Sequence, residues 1–173
     1  MGTSNSSARV ALAPSPCTSN SSTPCITIYS AYNMNLSTQG LERFIVAQDS
    51  VYDVALDELA MGEKTTHWMW FVFPQLRALA RTPTAKHFGL ESKEETLAFW
   101  QHPVLGKRLM ECTKLLLAQR NSNVHDIFGS PDDLKFRSCM TLFSQVVATE
   151  PTFKQALDRF CGGRADEATL KLL

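Results

Sequence analysis

An aromatic segment holds the side chains best suited to recognising a small planar ligand. His67, Trp68, Trp70 and Gln75 lie close together in the chain, within and beside a short apolar stretch. The indole faces could stack on a base or a nicotinamide ring, and the Gln75 amide could hydrogen-bond to the edge of that ring. The alternative is that both tryptophans belong to the core and that His67 forms a hydrogen bond at its margin.

A second group of polar residues interrupts an otherwise apolar helical stretch. It comprises Asp133, Lys135, Ser138 and Thr141. On a helix Asp133, Arg137 and Thr141 share one face, because they are spaced four residues apart. A buried polar group without a partner destabilises the fold by about 1–3 kcal/mol. These side chains therefore either satisfy one another and a neighbouring helix end, or converge on a ligand.

If the two groups face each other, they would line a pocket for a small molecule such as a nucleotide, which the protein would bind or hydrolyse. Asp133 and Lys135 are the catalytic candidates, with Asp133 stabilising the positive charge that develops on a sugar during hydrolysis. The ligand-binding candidates are His67, Trp68, Trp70, Gln75, Ser138 and Thr141. The alternative is a non-enzymatic binding or scaffolding module in which the same residues specify the fold.

The remaining histidines and the cysteines show no metal-binding pattern. His87, His102 and His125 are scattered, without an H-x-x-x-H spacing, and the five cysteines include no C-x-x-C pair. His102, which precedes Pro103, is typical of a cap or turn. The sequence also lacks a phosphate-binding glycine loop, a dinucleotide fingerprint and a nucleophile elbow. We therefore expect no metal and no cofactor.

Composition predicts a globular protein in the cytoplasm. Hydrophobic residues make up 44% of the 173 residues and charged residues 20%. Lys plus Arg equals Asp plus Glu at 17 each, so duplex nucleic acid is not expected as a partner. No apolar run approaches the roughly 18 residues of a membrane helix, and the unpaired cysteines fit a reducing compartment. The oligomeric state does not follow from the sequence.

Helix signals recur along the chain from Leu41 onward. Asp49 is placed to cap a helix that Gly62 would end, and Ser92 with Glu95 makes a capping box before another. The apolar run from 68 to 73 is compatible with a strand or a helix, and we favour a helix because no other segment alternates well enough to pair with it. The predicted fold is all-α, an irregular multihelical single domain of about seven or eight long and short helices.

The best-marked helix start is at Ser130, where Ser130 can cap, Pro131 can take the first helical position, and two aspartates follow. A helix to about Val147 is expected. Because its apolar residues spread over most of its circumference, this helix should be central and buried on several sides. Two shorter helices should follow, one after Pro151 and one after Asp166.

Residues 1–40 differ in composition from the rest of the chain. They contain 14 Ser or Thr, one basic residue and no acidic residue. Such a segment buries too little apolar surface to offset the entropy of ordering it, so we expect a disordered N-terminal extension. An upstream start before Met34 and a transit peptide are the alternatives. The helical domain is expected to occupy residues 41–173.

Three segments, in their order and spacing, resemble the domain-of-unknown-function family 1810. They are the segment from Thr66 to Gln75, the segment His102-Pro103-Val104-Leu105-Gly106, and the segment from Phe128 to Phe143. The resemblance runs from Leu41 to Leu173 and implies a small multihelical domain without an established activity. This chain has Ser138-Cys139 where the family pattern has Ser-Ser, which argues against an essential hydroxyl at position 139.

Two further resemblances bear on function. Some family members carry the label calpastatin, which does not suit this chain because calpain-inhibitor repeats are disordered segments that fold on their target. The order of apolar and polar blocks is also distantly similar to helical NAD and ADP-ribose domains that cleave N-glycosidic bonds. That similarity implies an ADP-ribose-like substrate, and with it the role of Asp133 at the sugar, but it aligns no catalytic residue.

Overall fold

A computed structural model describes residues 40–119 and 123–173. These residues form ten α-helices and one 3₁₀ turn, Arg77–Leu79, and no strand. The helices are α1 (Glu42–Asp49), α2 (Tyr52–Met61), α3 (Met69–Val72), α4 (Pro83–His87), α5 (Lys93–Gln101), α6 (Leu105–Ala118), α7 (Val124–Phe128), α8 (Asp132–Val146), α9 (Pro151–Cys161) and α10 (Glu167–Leu172). The prediction for residues 1–39 lies outside the described residues.

The all-helical class is confirmed, and the predicted number of seven or eight helices is too low. The additional helices are α1, α4 and α7, and the last two are only five residues long. A helix of five residues completes little more than one turn, so its apolar residues cannot display a 3.6-residue period. Within the two described ranges, no helix is long and apolar enough to cross a membrane.

Two of the predicted helix starts are wrong in detail. Asp49 is the last residue of α1 and pairs with Arg108 (Oδ1 to Nη2, 2.8 Å), so α2 begins without a side-chain cap. At the start of α8 the carbonyl oxygen of Gly129 accepts the Asp133 N–H (3.0 Å). A cap at Ser130 would accept this same N–H, which already has a partner. The Ser130 hydroxyl therefore does not cap α8, which begins after Pro131.

The expected end of α2 at Gly62 and the expected cap of α5 at Ser92 are confirmed, and two other helix ends carry similar local signals. Gly62 and Gly162 end α2 and α9 in the left-handed conformation, with φ of 77° and 59°. The Ser92 hydroxyl accepts the Glu95 N–H at the start of α5. The Asp166 carboxylate accepts the Thr169 N–H at the start of α10 (2.9 Å). Each of these signals acts over three or four residues, which explains why the sequence alone reveals them.

The segment from His102 to Gly106 joins α5 to α6 and is explained by packing. His102 Nδ1 accepts the N–H of Val104 (3.2 Å) and caps the start of α6, as expected of a cap residue. A Cβ atom at Gly106 would lie 1.9 Å from the carbonyl oxygen of Trp100. Only glycine therefore permits the close approach of these two helices.

The core is built around α8, which packs against α5, α7, α9 and α10. Its expected central position is confirmed. An aromatic cluster joins it to its neighbours: Phe136 contacts Phe73 and Phe128 at ring-centroid distances of 5.3 Å each, and Phe143 contacts Phe99 at 5.7 Å. The helix preferred for the run from 68 to 73 is also confirmed, as α3.

Candidate functional site

The aromatic segment and the polar helix α8 are neighbours in space. Lys135 Nζ lies 4.7 Å from the ring centroid of Trp70, in a cation–π arrangement. The same two segments also meet in the core, where Phe73, three residues after Trp70, packs against Phe136, the residue after Lys135. The contact brings together a ligand-binding candidate and a catalytic candidate that lie far apart in the sequence.

Asp132 links two lysines at the same place. Its Oδ1 accepts from Lys135 Nζ (2.7 Å) and its Oδ2 pairs with Lys64 Nζ (2.8 Å). The Lys64 side chain is 8% exposed and also lies over the Trp68 ring, at 5.2 Å. Burial opposes ionisation of Asp132, but its bonds with Lys135 and Lys64 outweigh that effect and lower its pKa. Two ammonium groups therefore share one carboxylate beside Trp70.

Glu58 holds the turn that precedes α3. This buried carboxylate accepts the Thr66 N–H (2.9 Å), the Thr65 hydroxyl (2.6 Å) and the Trp68 indole N–H (2.7 Å). Burial alone would raise the pKa of Glu58, yet the hydrogen bonds from Thr65, Trp68 and Thr66 lower it to about 2. Glu58 therefore fixes the position of Trp68 and of the neighbouring Lys64.

The sequence interpretation did not identify Glu58, Lys64 or Asp132 as site residues. A signal for Glu58 was available, because it lies on α2 beside Leu59 and three residues after Ala55, on the apolar stripe of that helix. A carboxylate on a buried stripe requires partners. Lys64 and Asp132 carry no comparable local signal.

The four predicted residues of the aromatic segment have different environments. Trp68 is completely buried, and its indole lies against Phe73 and Phe128. Trp70 is partly exposed, whereas His67 is exposed. Gln75 is partly exposed, and its backbone oxygen accepts the Leu90 N–H (2.9 Å). Of these two tryptophans, only Trp70 is partly exposed to solvent.

Asp133 and Lys135 lie on different sides of α8, because residues two positions apart on a helix do not face each other. Asp133 Oδ2 is 2.9 Å from His125 Nδ1 on α7, and its Oδ1 accepts the Leu134 N–H (2.8 Å). The hydrogen bond and the charge of Asp133 raise the pKa of the exposed His125. The two predicted catalytic residues therefore have separate partners.

Ser138 and Thr141 are buried, and their hydroxyls bond to backbone. Ser138 Oγ donates to the Leu134 carbonyl (3.1 Å), and Thr141 Oγ1 donates to the Arg137 carbonyl (2.8 Å). Thr141 Oγ1 also accepts the Asp166 N–H (2.9 Å), which fixes the start of α10. Both side chains are thus satisfied by helix backbone, without a ligand.

The buried thiols have raised pKa values. Burial raises the pKa of Cys112 to about 12 and that of Cys139 well above its ordinary value. A thiolate is the form of cysteine that binds metals and attacks electrophiles, so neither thiol is reactive near neutral pH. Across residues 40–119 and 123–173, no group of three or more His, Cys, Asp or Glu residues could hold a metal ion.

Chemically, the surface around Trp70 combines an aromatic face with cationic groups. Lys135 and Lys64 carry two positive charges against the single negative charge of Asp132. An indole face can stack on a planar ring, and an ammonium group can pair with a phosphate. We call the surface formed by Lys64, Trp70, Asp132 and Lys135 the Trp70 surface.

Comparisons with known proteins agree with the resemblance seen in the sequence. A crystal structure of the conserved hypothetical protein Rv1873 from Mycobacterium tuberculosis, at 1.38 Å, is similar to this chain with a TM-score of 0.76 and 46% identity. The match covers 77% of this chain and 95% of that one. A search of curated proteins found no match. The model of a family described as "Protein of unknown function (DUF1810)" matches residues 38–173, and the chain belongs to that family.

Proposed function

We propose that this domain binds a small nucleotide-like compound, of the ADP-ribose class, at the Trp70 surface. The observation that carries the proposal is the pairing of Lys135 with Trp70, at 4.7 Å, by segments that are distant in sequence. A base or nicotinamide ring would stack on the exposed part of the indole. The phosphates would pair with the ammonium group of Lys135, since Asp132 neutralises only one of the two lysines.

The conformation of Lys135 supports a ligand that competes for the same groups. Its ammonium is held by Asp132 at 2.7 Å and by the Trp70 ring. The side chain is 19% exposed, so a phosphate would approach its ammonium group from solvent. Gln75 and His67 lie on the same aromatic segment and are available to contact the ligand's polar edge.

Binding is favoured over hydrolysis by the partners of Asp133. A carboxylate that stabilises a developing oxocarbenium ion must face the sugar. Asp133 instead pairs with His125, on a side of α8 different from the one that carries Lys135. Asp132, the carboxylate at the Trp70 surface, is paired with two lysines.

Tryptophan fluorescence tests the proposal, because Trp70 is partly exposed whereas Trp68 is buried, and Trp70→Phe separates the Trp70 signal from that of the partly exposed Trp100. The full chain would be titrated with AMP, NAD and ADP-ribose. We expect at least one of them to quench the emission saturably and to raise the melting temperature. At 100 times its dissociation constant, a ligand adds about 2.7 kcal/mol to the free energy of unfolding. Trp70→Phe should remove the quenching, and Lys135→Met should weaken binding.

Lys154→Met is the matched control, because Lys154 is an exposed lysine on α9 that pairs with Asp158. It should bind like the parent protein. If none of the three compounds changes the fluorescence or the melting temperature, or if Lys135→Met and Lys154→Met bind equally well, the proposal is overturned. Release of nicotinamide or ribose products by the parent, lost in Asp133→Asn, would replace it with the hydrolytic alternative.

A further inference from the structure

The side of α8 that carries Asp133, Arg137 and Thr141 includes one side chain that the fold leaves unsatisfied. Asp133 bonds to His125, and the Thr141 hydroxyl bonds to the backbone of Arg137 and of Asp166. In the described part of the chain, Arg137 Nε is buried without a hydrogen-bond partner. A buried donor in that state is unusual in a folded protein and points to an unseen water, ion or ligand.

Asp166 approaches Arg137 but does not satisfy it. Asp166 Oδ1 is 3.8 Å from Arg137 Nη2, which is beyond hydrogen-bond distance. The other oxygen of Asp166 is held by the N–H and the hydroxyl of Thr169, at 2.9 and 2.6 Å, as the cap of α10. The carboxylate is therefore kept in place by α10, and at this distance it forms an ion pair with Arg137 without a hydrogen bond.

Charged groups of both signs lie near this guanidinium, with the carboxylates of Asp166 and Asp133 beside the side chain of Arg164. Burial raises the pKa of the nearby Cys161 thiol, whereas Arg137 and Arg164 act on that pKa in the opposite direction, so both arginines are within electrostatic range of the same sulfur. Asp133 is also in range, but its carboxylate is already hydrogen-bonded to His125. The Arg137 side chain is 35% exposed, which leaves its outer edge open to solvent.

We propose that Arg137 binds the oxyanion of a small molecule, a phosphate or a carboxylate, through Nε and one Nη nitrogen. The planar guanidinium presents two parallel N–H groups that match two oxygens of either anion. Such a ligand would satisfy the buried Nε and would enter from the exposed edge. The site lies on a different side of α8 from the Trp70 surface and does not depend on the function proposed there.

Nuclear magnetic resonance of the arginine Nε–H groups tests this site. The Arg137 signal is the one that disappears in Arg137→Lys. Inorganic phosphate and acetate would be titrated separately into the full chain at physiological ionic strength. We expect at least one anion to shift this signal saturably. In the variants that lack the guanidinium the affinity is read from the backbone amide signals of α10, and it should fall about tenfold or more in Arg137→Gln, because one charge-assisted hydrogen-bond pair is lost. A shift with phosphate alone assigns a phosphate ligand, and a shift with acetate alone assigns a carboxylate.

Arg77→Gln is the matched control, because Arg77 is an exposed arginine that pairs with Glu91 elsewhere on the surface. It should retain the parent's affinity, as should Trp70→Phe, which separates this site from the Trp70 surface. The proposal is overturned if neither anion shifts the Arg137 signal, which would assign the buried donor to water. It is also overturned if Arg137→Gln and Arg137→Lys bind the anion as tightly as Arg77→Gln does.

Discussion

Lys135 on α8 and Trp70 on α3 form a cation–π pair, with Nζ 4.7 Å from the indole centroid. The same ammonium group donates a hydrogen bond to Asp132. Helix α8 therefore contributes both members of this ion pair, and its lysine contacts the aromatic segment. Lys64 completes the arrangement from the turn before α3. This contact joins the two segments whose residue types indicated ligand recognition.

Glu58→Gln should lower the free energy of unfolding by about 2 kcal/mol or more, because hydrogen bonds to a charged acceptor contribute about 1.5–3 kcal/mol. The carboxylate accepts from Thr65, Thr66 and Trp68, and a neutral amide cannot accept all of these bonds. Urea unfolding near pH 7 measures the difference. Glu63→Gln, at an exposed residue five positions later, should remain within about 0.5 kcal/mol of the parent.

The Glu58 contribution should also depend on pH. The pKa of Glu58 falls from 4.5 to about 2 in the folded protein. A carboxyl group whose pKa is lowered on folding stabilises the protein fully above its unfolded pKa, and this contribution is lost as the pH falls through the folded pKa. The stability difference between the parent and Glu58→Gln should therefore shrink between pH 4.5 and about 2. A difference that stays constant over that range would contradict the assignment.

Asp132→Asn should destabilise the fold by about 2–3 kcal/mol, because it leaves Lys64 and Lys135 close together without their shared carboxylate. Asp49→Asn removes an ion pair with Arg108 in which the carboxylate is much more exposed, and should cost less than about 1 kcal/mol. Equilibrium unfolding of both variants gives the comparison. Equal losses would show that the Asp132 ion pairs contribute no more stability than the exposed pair at Asp49.

Thr141→Val should loosen α10. The substitution removes the hydroxyl that accepts the Asp166 N–H, and we expect a loss of about 1–2 kcal/mol together with faster amide hydrogen exchange across Glu167–Leu172. Thr113→Val is the control, because the buried Thr113 hydroxyl donates to the Leu109 carbonyl of its own helix, its one partner among the described residues. Unchanged exchange in α10 would argue that the bond does not hold this helix.

His125 should titrate above its ordinary pKa of 6.5, because Asp133 accepts a hydrogen bond from its ring and attracts its positive charge. A pKa raised by folding adds stability below the unfolded value, and this is lost as the pH rises through the folded value. A proton NMR titration should show a lower pKa for His125 in Asp133→Asn. Asp126→Asn, which removes a charge without that hydrogen bond, should lower it less, and the reverse order would contradict the pairing.

Several features of this protein follow from its sequence because their causes are local. A glycine after an apolar stripe ends α2 and α9, and an aspartate before a short apolar pattern caps α10. The length and the all-round apolar character of α8 likewise predict a central helix. Each of these signals depends on residues within a few positions of one another, so no tertiary contact was needed to recognise it.

The site was decided by tertiary structure. Helical spacing places Asp133 and Lys135 on different sides of α8, but only the packing of α3 and α7 determines that one lysine meets Trp70 and one aspartate meets His125. The short helices α4 and α7 were also hidden, because one turn has no measurable period. Lys64 could not be found from the sequence, since its partner Asp132 lies on a distant element and an ion pair between distant elements leaves no local pattern.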